Sequence, residues 1–203
     1  VAGMAGARCL VAAAPTLSAS LDKVWAQEPV AAAGVAVVPG LSVDSAEDLE
    51  TAVLPGPFPL FVKPRWEGTA KGIGPRSRVA DPEALAAEVV RVTRAYGQPA
   101  LVEVFLDGPE YTVTIVGHDP PQPLPVLQRA LERTTRIGLH AVERHPAPGD
   151  GWGFELPGSL DPSLEAALRR LGLEAFEALE CRDFARADFR LDAAGRPPFL
   201  EIN

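Results

Sequence analysis

The sequence predicts an α+β fold of two subdomains that meet near residue 102. The first observation is that Asp81-Pro82 and Asp161-Pro162 each join a capping aspartate to a proline at the first helical position. The second is that short apolar segments, typical of strands, lie before, between and after the two predicted helices. The closing segments, residues 184–191 and 198–203, have the pattern of a hairpin. Strands and helices are therefore mixed irregularly along the chain, as in α+β proteins.

Composition limits the classes of partner. The chain has 203 residues, of which 47% are hydrophobic and 23% charged, which is typical of a globular protein. Its 19 basic and 27 acidic residues give a formal net charge of −8, and the sequence contains no cluster of basic residues. We therefore expect neither nucleic acid nor membrane as a partner.

The cysteines and the apolar stretches of the sequence bear on the cellular compartment of the protein. Cys9 and Cys181 have neither metal-ligand spacing nor the number of a disulfide framework, which favours a reducing, cytoplasmic compartment. The longest stretch of low polarity, residues 29–41, is shorter than the roughly 20 residues of a membrane span. The first residues also lack the charged leader and long apolar region of a signal peptide.

The first half of the chain predicts two helices and a strand. Residues 16–27 predict a helix with Lys23 near its middle, and Pro29 is expected to force a break or a restart after it. Residues 59–64 predict a strand with Lys63 near its end, and a glycine-rich loop, residues 67–74, follows it. The helix that begins after Asp81 is expected to reach about Tyr96.

The second half predicts strands at 100–106 and 110–116 and a helix from Asp161 to about Leu179. Residues 118–159 are rich in Pro and Gly and poorly periodic. A connection of this length is more often a functional lid than a plain loop.

Polar side chains on the closing hairpin share one face. Residues two apart on a strand point the same way, so Arg186 and Asp188 align, as do Glu201 and Asn203 on the partner strand. Three oxygen donors and an arginine suit a hard cation that bridges phosphates. A solvated hairpin face with an ordinary ion pair is the alternative.

The glycine-rich loop after Lys63 is a second candidate for phosphate binding. Glycines let backbone amides approach a phosphate closely, and a lysine adds a point charge. No Gly-Lys pair occurs in the chain, which excludes a P-loop NTPase. A mobile surface loop would have the same pattern.

Together these segments resemble the ATP-grasp superfamily and, within it, the D-alanine–D-alanine ligases. The resemblance covers nearly the whole chain and is carried by five segments in order: Asp22-Lys23; Val62-Lys63-Pro64 with Glu67-Gly68-Thr69; Val102 to Glu110 with Thr112-Val113; Ala185 to Phe189; and Leu200 to Asn203. It is strong around Lys63 and at the last hairpin, and weak over residues 118–159.

The resemblance implies an ATP-grasp fold in which two α+β subdomains grip the nucleotide. Lys23 and Lys63 would contact the ATP phosphates, under a closing loop that contains Glu67 and Thr69. Glu110 would hold the ribose hydroxyls. Main-chain groups of the strand with Glu103, Phe105 and Leu106 would bind adenine, with Phe61, Phe105 and Leu200 as apolar walls.

The resemblance also implies the metal site and the reaction. Asp188, Glu201 and Asn203 would bind two Mg²⁺, with Mn²⁺ as an alternative, and Arg186 would be the catalytic residue that stabilises the acyl phosphate. The expected activity is ATP-dependent ligation of a carboxylate to an amine, as with D-alanine in peptidoglycan precursor synthesis. The partners implied are small molecules, and the relatives are usually homodimers.

Departures from the family pattern keep two alternatives open. The family's mobile loop carries a Lys, but residues 129–145 contain none, and Arg133, Arg136 and His140 are the candidates to replace it. A ligase for a different amino-acid-like acid and amine, or a nucleotide-binding relative without ligase activity, is therefore the alternative. In this scheme residues 1–15 are a remnant of a preceding domain, 16–102 form the central subdomain and 103–203 a C-terminal subdomain truncated at its end.

Overall fold

A computed structural model of the protein describes residues 20–117, 119–138, 154–155 and 160–203. The predicted remnant at residues 1–15, His118, His140 and much of the predicted lid lie outside the described residues. The described helices are α1 (Lys23–Ala32), α2 (Pro82–Tyr96) and α3 (Pro162–Ala178). The described strands are β1 (Gly40–Val43), β2 (Leu60–Pro64), β3 (Arg78–Val79), β4 (Ala100–Val104), β5 (Glu110–Val116), β6 (Gln122–Pro123), β7 (Leu127–Arg129), β8 (Leu131–Glu132), β9 (Phe154–Glu155), β10 (Phe184–Arg190) and β11 (Phe199–Ile202).

The chain divides into two compact units, and each is discontinuous in sequence. The hairpin unit comprises residues 1–37, 108–129 and 157–203, and the loop unit comprises residues 38–107 and 130–156. The expected division after residue 102 falls inside β4 instead of between units. It differs because α1 and the segment after it lie with β11: Val30 of α1 shares a core with Phe199, and the Phe199 amide donates to the Ala36 carbonyl.

The hairpin unit is an antiparallel sheet with two helices against one face. Its strand order is β11-β10-β5-β6, and β7 also pairs with β5. Alternate residues of β5 and β10, among them Val113, Ile115 and Ala187, are buried in the core together with Val30 of α1 and Phe176 of α3. The opposite face of the same strands is left for polar side chains.

One close approach fixes how α3 lies on this sheet. Gly172 sits in the middle of α3, where a Cβ would be 2.9 Å from Cγ1 of Val113. Glycine is unfavourable inside a helix by up to about 1 kcal/mol. Here it lets the helix backbone come close to β5.

The helix predicted over residues 16–27 is interrupted at Asp22 and does not break at Pro29; residues 16–19 lie outside the described residues, and Ser20 and Leu21 are helical. Asp22 is the N-cap, because its carboxylate accepts from the amides of Val24 and Trp25, so Lys23 is the first residue of α1 and not near its middle. The helix also continues through Pro29 to Ala32. The buried side chains of Ala26 and Val30 anchor the two turns on either side of the proline, and their burial outweighs the hydrogen bond that proline removes.

The loop unit is a four-stranded sheet with the order β1-β4-β2-β3. Val62 of β2 and Val102 of β4 form a core with Leu85 and Val89 of α2, which covers one face. The alternate residues of β2 and β4, including Lys63, lie on the other face. β8 and β9 form a separate antiparallel pair in this unit.

Most other predicted elements are confirmed. Asp81 caps α2 through the Ala84 amide, and Asp161 caps α3 through the amides of Ser163 and Leu164. The strand predicted at 110–116 is β5, and the closing hairpin is β10 and β11. Within the stretch predicted to be irregular, short strands β6 to β9 occur.

The closing hairpin contains a bulge that alternation alone does not predict. Asp188 pairs with Glu201, but Phe189 pairs with Phe199, so Leu200 is the extra residue. Simple alternation places Leu200 beside Ile202 in the core. Instead Phe199 is fully buried there and Leu200 is half-buried.

Among the described helices, none combines the length and the apolar character that crossing a membrane would require.

The core of the hairpin unit yields a stability prediction. Leu168 of α3 is 0% exposed, so Leu168→Ala should lower the free energy of unfolding by about 2–5 kcal/mol through lost burial and a cavity. Urea denaturation measures this change. Leu127→Ala is the matched control, since Leu127 is 62% exposed and its truncation should cost far less. Equal losses in the two variants would contradict the assignment of Leu168 to the core.

Candidate functional site

The register of β10 and β11 brings the four predicted hairpin residues onto one face. Asp188 lies opposite Glu201, and the backbone groups of Arg186 and Asn203 bond to each other in both directions, at 2.8 and 2.9 Å. Arg186 and Asp188 are two residues apart on β10, and so are Glu201 and Asn203 on β11. All four side chains therefore leave the sheet on the same side. The face opposite the hydrophobic core therefore carries two carboxylates, an amide and a guanidinium.

Asp188 is the most buried member of this group. It is 1% exposed, and its carboxylate accepts from the Thr112 hydroxyl at 2.7 Å and from Arg186 Nη2 at 3.2 Å. Burial raises the pKa of Asp188 to about 6, although Arg186 and the Thr112 hydrogen bond oppose the shift. The nearby carboxylates of Glu201 and Glu110 add to it. A bound cation at this face would favour the ionised form.

Lys23 joins the same face from α1. Its ammonium lies 3.9 Å from Oε2 of Glu201, and its side chain is buried. The position follows from the helix start, because Asp22 caps α1 and leaves Lys23 in the first turn. A second cationic group is Arg186, whose Nε is buried without a hydrogen-bond partner. A buried donor without a partner costs free energy, and an anion at this face would supply an acceptor.

Glu110 lies further along this face with two arginines that the sequence did not single out. Arg129 Nη1 is 3.2 Å from Oε1 of Glu110, and Arg190 Nη1 is 3.7 Å from Oε2. Arg190 also donates from Nε to the Gly108 carbonyl at 3.1 Å. The carboxylate expected to hold ribose is thus fixed in place by cations of two neighbouring strands.

The loop unit contains a second polar group on the sheet face opposite α2. The ammonium of Lys63 lies 2.6 Å from Oε2 of Glu103, and both side chains are buried. Phe61 and Phe105 flank this pair with ring centroids 6.0 Å apart, and the Arg78 guanidinium lies 4.9 Å from the centroid of Phe105. Lys63, Glu103, Phe61 and Phe105 are therefore neighbours, as an aromatic-walled site requires. Arg78 was not predicted.

The glycine-rich loop is bonded internally. Glu67 accepts from the Lys71 ammonium at 2.8 Å and from the Gln98 side-chain amide at 3.1 Å. Thr69 and Ala70 have φ values of +53° and +55°, and Gly72 has +83°. A Cβ on Gly72 would be 2.4 Å from Cγ of Pro64, so only glycine fits there.

The remaining predicted residues are placed as follows. Leu106 is buried in the loop unit, and Leu200 is half-buried beside Glu201 in the hairpin unit. Among the candidates for the missing loop lysine, Arg136 donates to the Asp107 carbonyl at 3.3 Å, and His140 lies outside the described residues.

Burial raises the pKa of the Cys181 thiol to about 11, which fits a packing role rather than a nucleophile.

Two of the residues to which the sequence gave no role carried a readable signal. Thr112 and Arg190 sit at even positions of strands whose even positions hold Glu110 and Asp188, so alternation places them on the polar face. Arg129 carried no such signal, because β7 is three residues long and lies in a poorly periodic stretch.

The donor set suits magnesium better than a softer metal. In the described part of the chain, no three or more His, Cys, Asp and Glu side chains are grouped as a metal cluster would need. Asp188 and Glu201 give two carboxylates and Asn203 an amide oxygen. Magnesium is commonly bound by one or two carboxylates together with substrate phosphates, so this set fits it.

Solved structures define the fold class. The chain aligns over 99% of its length with 57% of the D-Ala:D-Ser ligase VanG from Enterococcus faecalis, with a TM-score of 0.79 and 20% identity. It aligns over 95% of its length with 49% of the D-alanine-D-alanine ligase from Coxiella burnetii, with a TM-score of 0.68 and 19% identity. The protein therefore has the ATP-grasp fold that the sequence predicts.

The family follows from the sequence comparison. A family model described as the D-ala D-ala ligase C-terminus matches residues 31–203, and the chain belongs to this family. Curated relatives include a D-alanine–D-alanine ligase of Alcanivorax borkumensis, 30% identical over 90% of this chain and 54% of that protein. Another is the D-alanine–D-alanine ligase of Halorhodospira halophila, 36% identical over 72% of this chain and 44% of that protein. An uncharacterized protein of Sinorhizobium fredii, y4sG, is 33% identical over 72% of this chain and 42% of that protein. The chain spans about half the length of the curated relatives it matches.

The buried carboxylate makes stability depend on pH. Folded Asp188 keeps its proton up to about pH 6, whereas the unfolded chain releases it near 3.8. The folded state thus binds more protons between these values, and stability falls as pH rises through this window. We expect Asp188→Asn to remove this dependence in the metal-free protein. The difference in unfolding free energy between variant and wild type should change by about 2 kcal/mol between pH 4 and 7.

Urea denaturation at a series of pH values with a chelator present measures this difference. Asp44→Asn is the control, since it makes the same side-chain change at an exposed residue of the loop unit. If the stability of Asp188→Asn depends on pH in the same way as that of wild type, the Asp188 carboxyl does not titrate between pH 4 and 7.

Proposed function

We propose that the protein binds ATP with a divalent metal ion and joins a carboxylate to an amine through an acyl phosphate. The observation that carries the proposal is the hairpin face. There the buried carboxylate of Asp188 lies opposite Glu201, with Arg186 and Lys23 beside them, in a chain of the D-ala D-ala ligase C-terminus family.

The metal ligands we propose are Asp188, Glu201 and Asn203. Two Mg²⁺ are the expected ions, with Mn²⁺ as the alternative. When bound, the metal would neutralise charge on the phosphates of ATP. Thr112 orients Asp188 by its 2.7 Å hydrogen bond, which holds one carboxylate oxygen in a fixed direction. That fixed direction matters because magnesium demands near-ideal geometry.

Arg186 and Lys23 are the proposed electrostatic groups of the hairpin unit. The Arg186 side chain is half-exposed, but its buried Nε lacks a partner, so it has a donor to offer a transferring phosphoryl group. Lys23 adds a point charge beside Glu201. Phosphoryl transfer needs positioning and charge stabilisation and no protein nucleophile, which fits this set of side chains.

The loop unit supplies the proposed nucleotide contacts. Lys63 would bind phosphate, the loop with Glu67 and Thr69 would cover it, and Phe61 and Phe105 would form apolar walls against adenine. In the adenine-binding segment, the amides of Val104 and Phe105 already donate to the Pro39 and Pro59 carbonyls. We therefore place the main-chain donor to adenine at Leu106, next along the chain after Glu103–Phe105.

The hairpin unit supplies two further nucleotide contacts in this proposal. Glu110 would accept the ribose hydroxyls, held in place by Arg129 and Arg190. Leu200, displaced from the core position by the bulge, would be the third apolar wall.

For the substrate we propose D-alanine, ligated to a second D-alanine in peptidoglycan precursor synthesis in the cytoplasm, by a homodimer. The curated relatives named D-alanine–D-alanine ligase support this choice. The alternative is a different amino-acid-like acid and amine. It is favoured by the absence of lysine from residues 129–145, where the family's mobile loop carries one.

The metal site gives a binding prediction. Glu201→Gln should keep the fold but remove a charged ligand, so Mg-ATP should no longer raise the melting temperature. Wild type at 100 times its dissociation constant should gain about 2.7 kcal/mol. Thermal denaturation with and without Mg-ATP measures the gain, and Glu177→Gln, an exposed glutamate of α3, is the control. Stabilisation of Glu201→Gln equal to that of wild type would mean that the hairpin face does not bind the metal.

The reaction gives a second prediction. The protein in full should release ADP and phosphate in a D-alanine-dependent manner, and Arg186→Ala should lower that rate by about 10²–10³-fold, as when one transition-state donor is lost. A coupled assay of ADP release measures the rate. Turnover on another amino acid without a D-alanine response would reject the substrate but keep the chemistry. Binding of Mg-ATP without turnover on any amino acid would reject the ligase activity.

A further inference from the structure

The loop unit contains an ion pair between a buried carboxylate, Glu88, and a partly exposed guanidinium, Arg91, that the proposed reaction does not use. Glu88 of α2 is 2% exposed and lies among the core positions Leu85, Val89 and Val92 of the same helix. Its carboxylate accepts two hydrogen bonds from Arg91, from Nε at 2.8 Å and from Nη2 at 2.6 Å. This two-point pairing holds the guanidinium in a defined plane.

The same guanidinium reaches the glycine-rich loop. Arg91 Nη2 donates to the Gly72 carbonyl at 2.7 Å. The amide on the other side of that peptide group, of Ile73, donates to the Ala70 carbonyl at 3.1 Å. The peptide group between Gly72 and Ile73 is therefore fixed at both its oxygen and its nitrogen.

Packing fixes the loop at the same residue. Gly72 has φ of +83° and no room for a Cβ against Pro64, which directly follows Lys63. Lys71 lies 5.7 Å from the ring centroid of Tyr96 at the end of α2. The second half of the loop is thus held against the helix by a guanidinium on one side and by a proline on the other.

Stability alone does not account for an ion pair with a buried carboxylate at this position. Removing the Glu88 charge from water costs several kcal/mol, and an apolar residue of similar volume often serves a core as well or better. The hydrogen bond from Arg91 to the loop is what an apolar pair could not provide. Glu88 is needed in turn because it fixes the direction of that donor.

We infer that Arg91, oriented by Glu88, is a positioning residue that holds the loop of residues 67–74 in the conformation that binds the nucleotide phosphates. This inference rests on the proposed function, because it assigns the loop to ATP. Arg91 lies on α2 and is not among the residues proposed to contact the nucleotide.

The test uses a double variant, Glu88→Met with Arg91→Met, so that no unpaired charge is left in the core. Mg²⁺ with a non-hydrolysable ATP analogue is the probe, and isothermal titration calorimetry of the 203-residue chain gives the dissociation constant. We expect the dissociation constant to rise about tenfold while the midpoint of urea denaturation stays near that of wild type. The matched control is Glu174→Met with Arg170→Met, which removes an exposed ion pair of 2.6 Å from α3 and should leave binding unchanged.

Hydrogen exchange separates positioning from general loosening. The double variant should exchange the amides of Lys71 and Ile73 faster, since both are bonded only within the loop, while Val89 and Val92 of α2 exchange as in wild type. Arg91→Lys should restore part of the affinity, because an ammonium can reach one acceptor but cannot make the paired contact.

The outcomes are distinguishable. Unchanged affinity in the double variant, with or without faster loop exchange, overturns the inference. Faster exchange throughout α2 also overturns it, because the pair would then act on the fold and not on the loop. If wild type itself does not bind the ATP analogue, the proposed function fails, and with it the role of Arg91 in nucleotide binding. Weaker binding together with faster exchange confined to the loop supports the inference.

Discussion

The structure depends on keeping charged groups inside a sheet without leaving them unpaired. The antiparallel pairing of β5, β10 and β11 gives each strand one apolar and one polar face. The apolar face packs on α1 and α3. On the polar face Asp188 is as buried as a core residue, yet its two oxygens are bonded by Thr112 and Arg186. Low exposure strengthens these bonds and makes a missing partner costly. Both oxygens of the Asp188 carboxylate are therefore hydrogen-bonded, and a bound cation is the further partner that would stabilise its charge.

The loop unit meets the same constraint twice, in two different ways. Lys63 and Glu103 form an ion pair on the sheet face opposite α2. Glu88 and Arg91 do so at the helix, and the arginine uses a spare donor on a backbone carbonyl of the loop. In the second case the partner of the buried charge also bonds the loop that is proposed to bind ATP. Charge pairing and site geometry therefore depend on the same residues.

Much of the fold could be predicted from sequence because its signals are local. The Asp-Pro starts of α2 and α3, the strand that carries Lys63 and the polar face of the hairpin need only neighbouring residues to be recognised. What the sequence did not reveal depends on distant partners. Burial of Val30 carries α1 through Pro29, the bulge at Leu200 is set by the register with β10, and Arg129 reaches Glu110 only because the short strand β7 pairs with β5.

The discontinuity of the hairpin unit has a consequence for folding. Helix α1 comes early in the sequence, but some of the residues it packs with lie in β11, more than 160 positions later. Contacts of such separation close slowly, since the ordering of a long intervening chain precedes any gain from them. Of the described elements that α1 contacts, β11 is the most distant in sequence. Lys23 of α1 can approach Glu201 only when β11 is in place, so the charge arrangement of the hairpin face depends on this long-range contact.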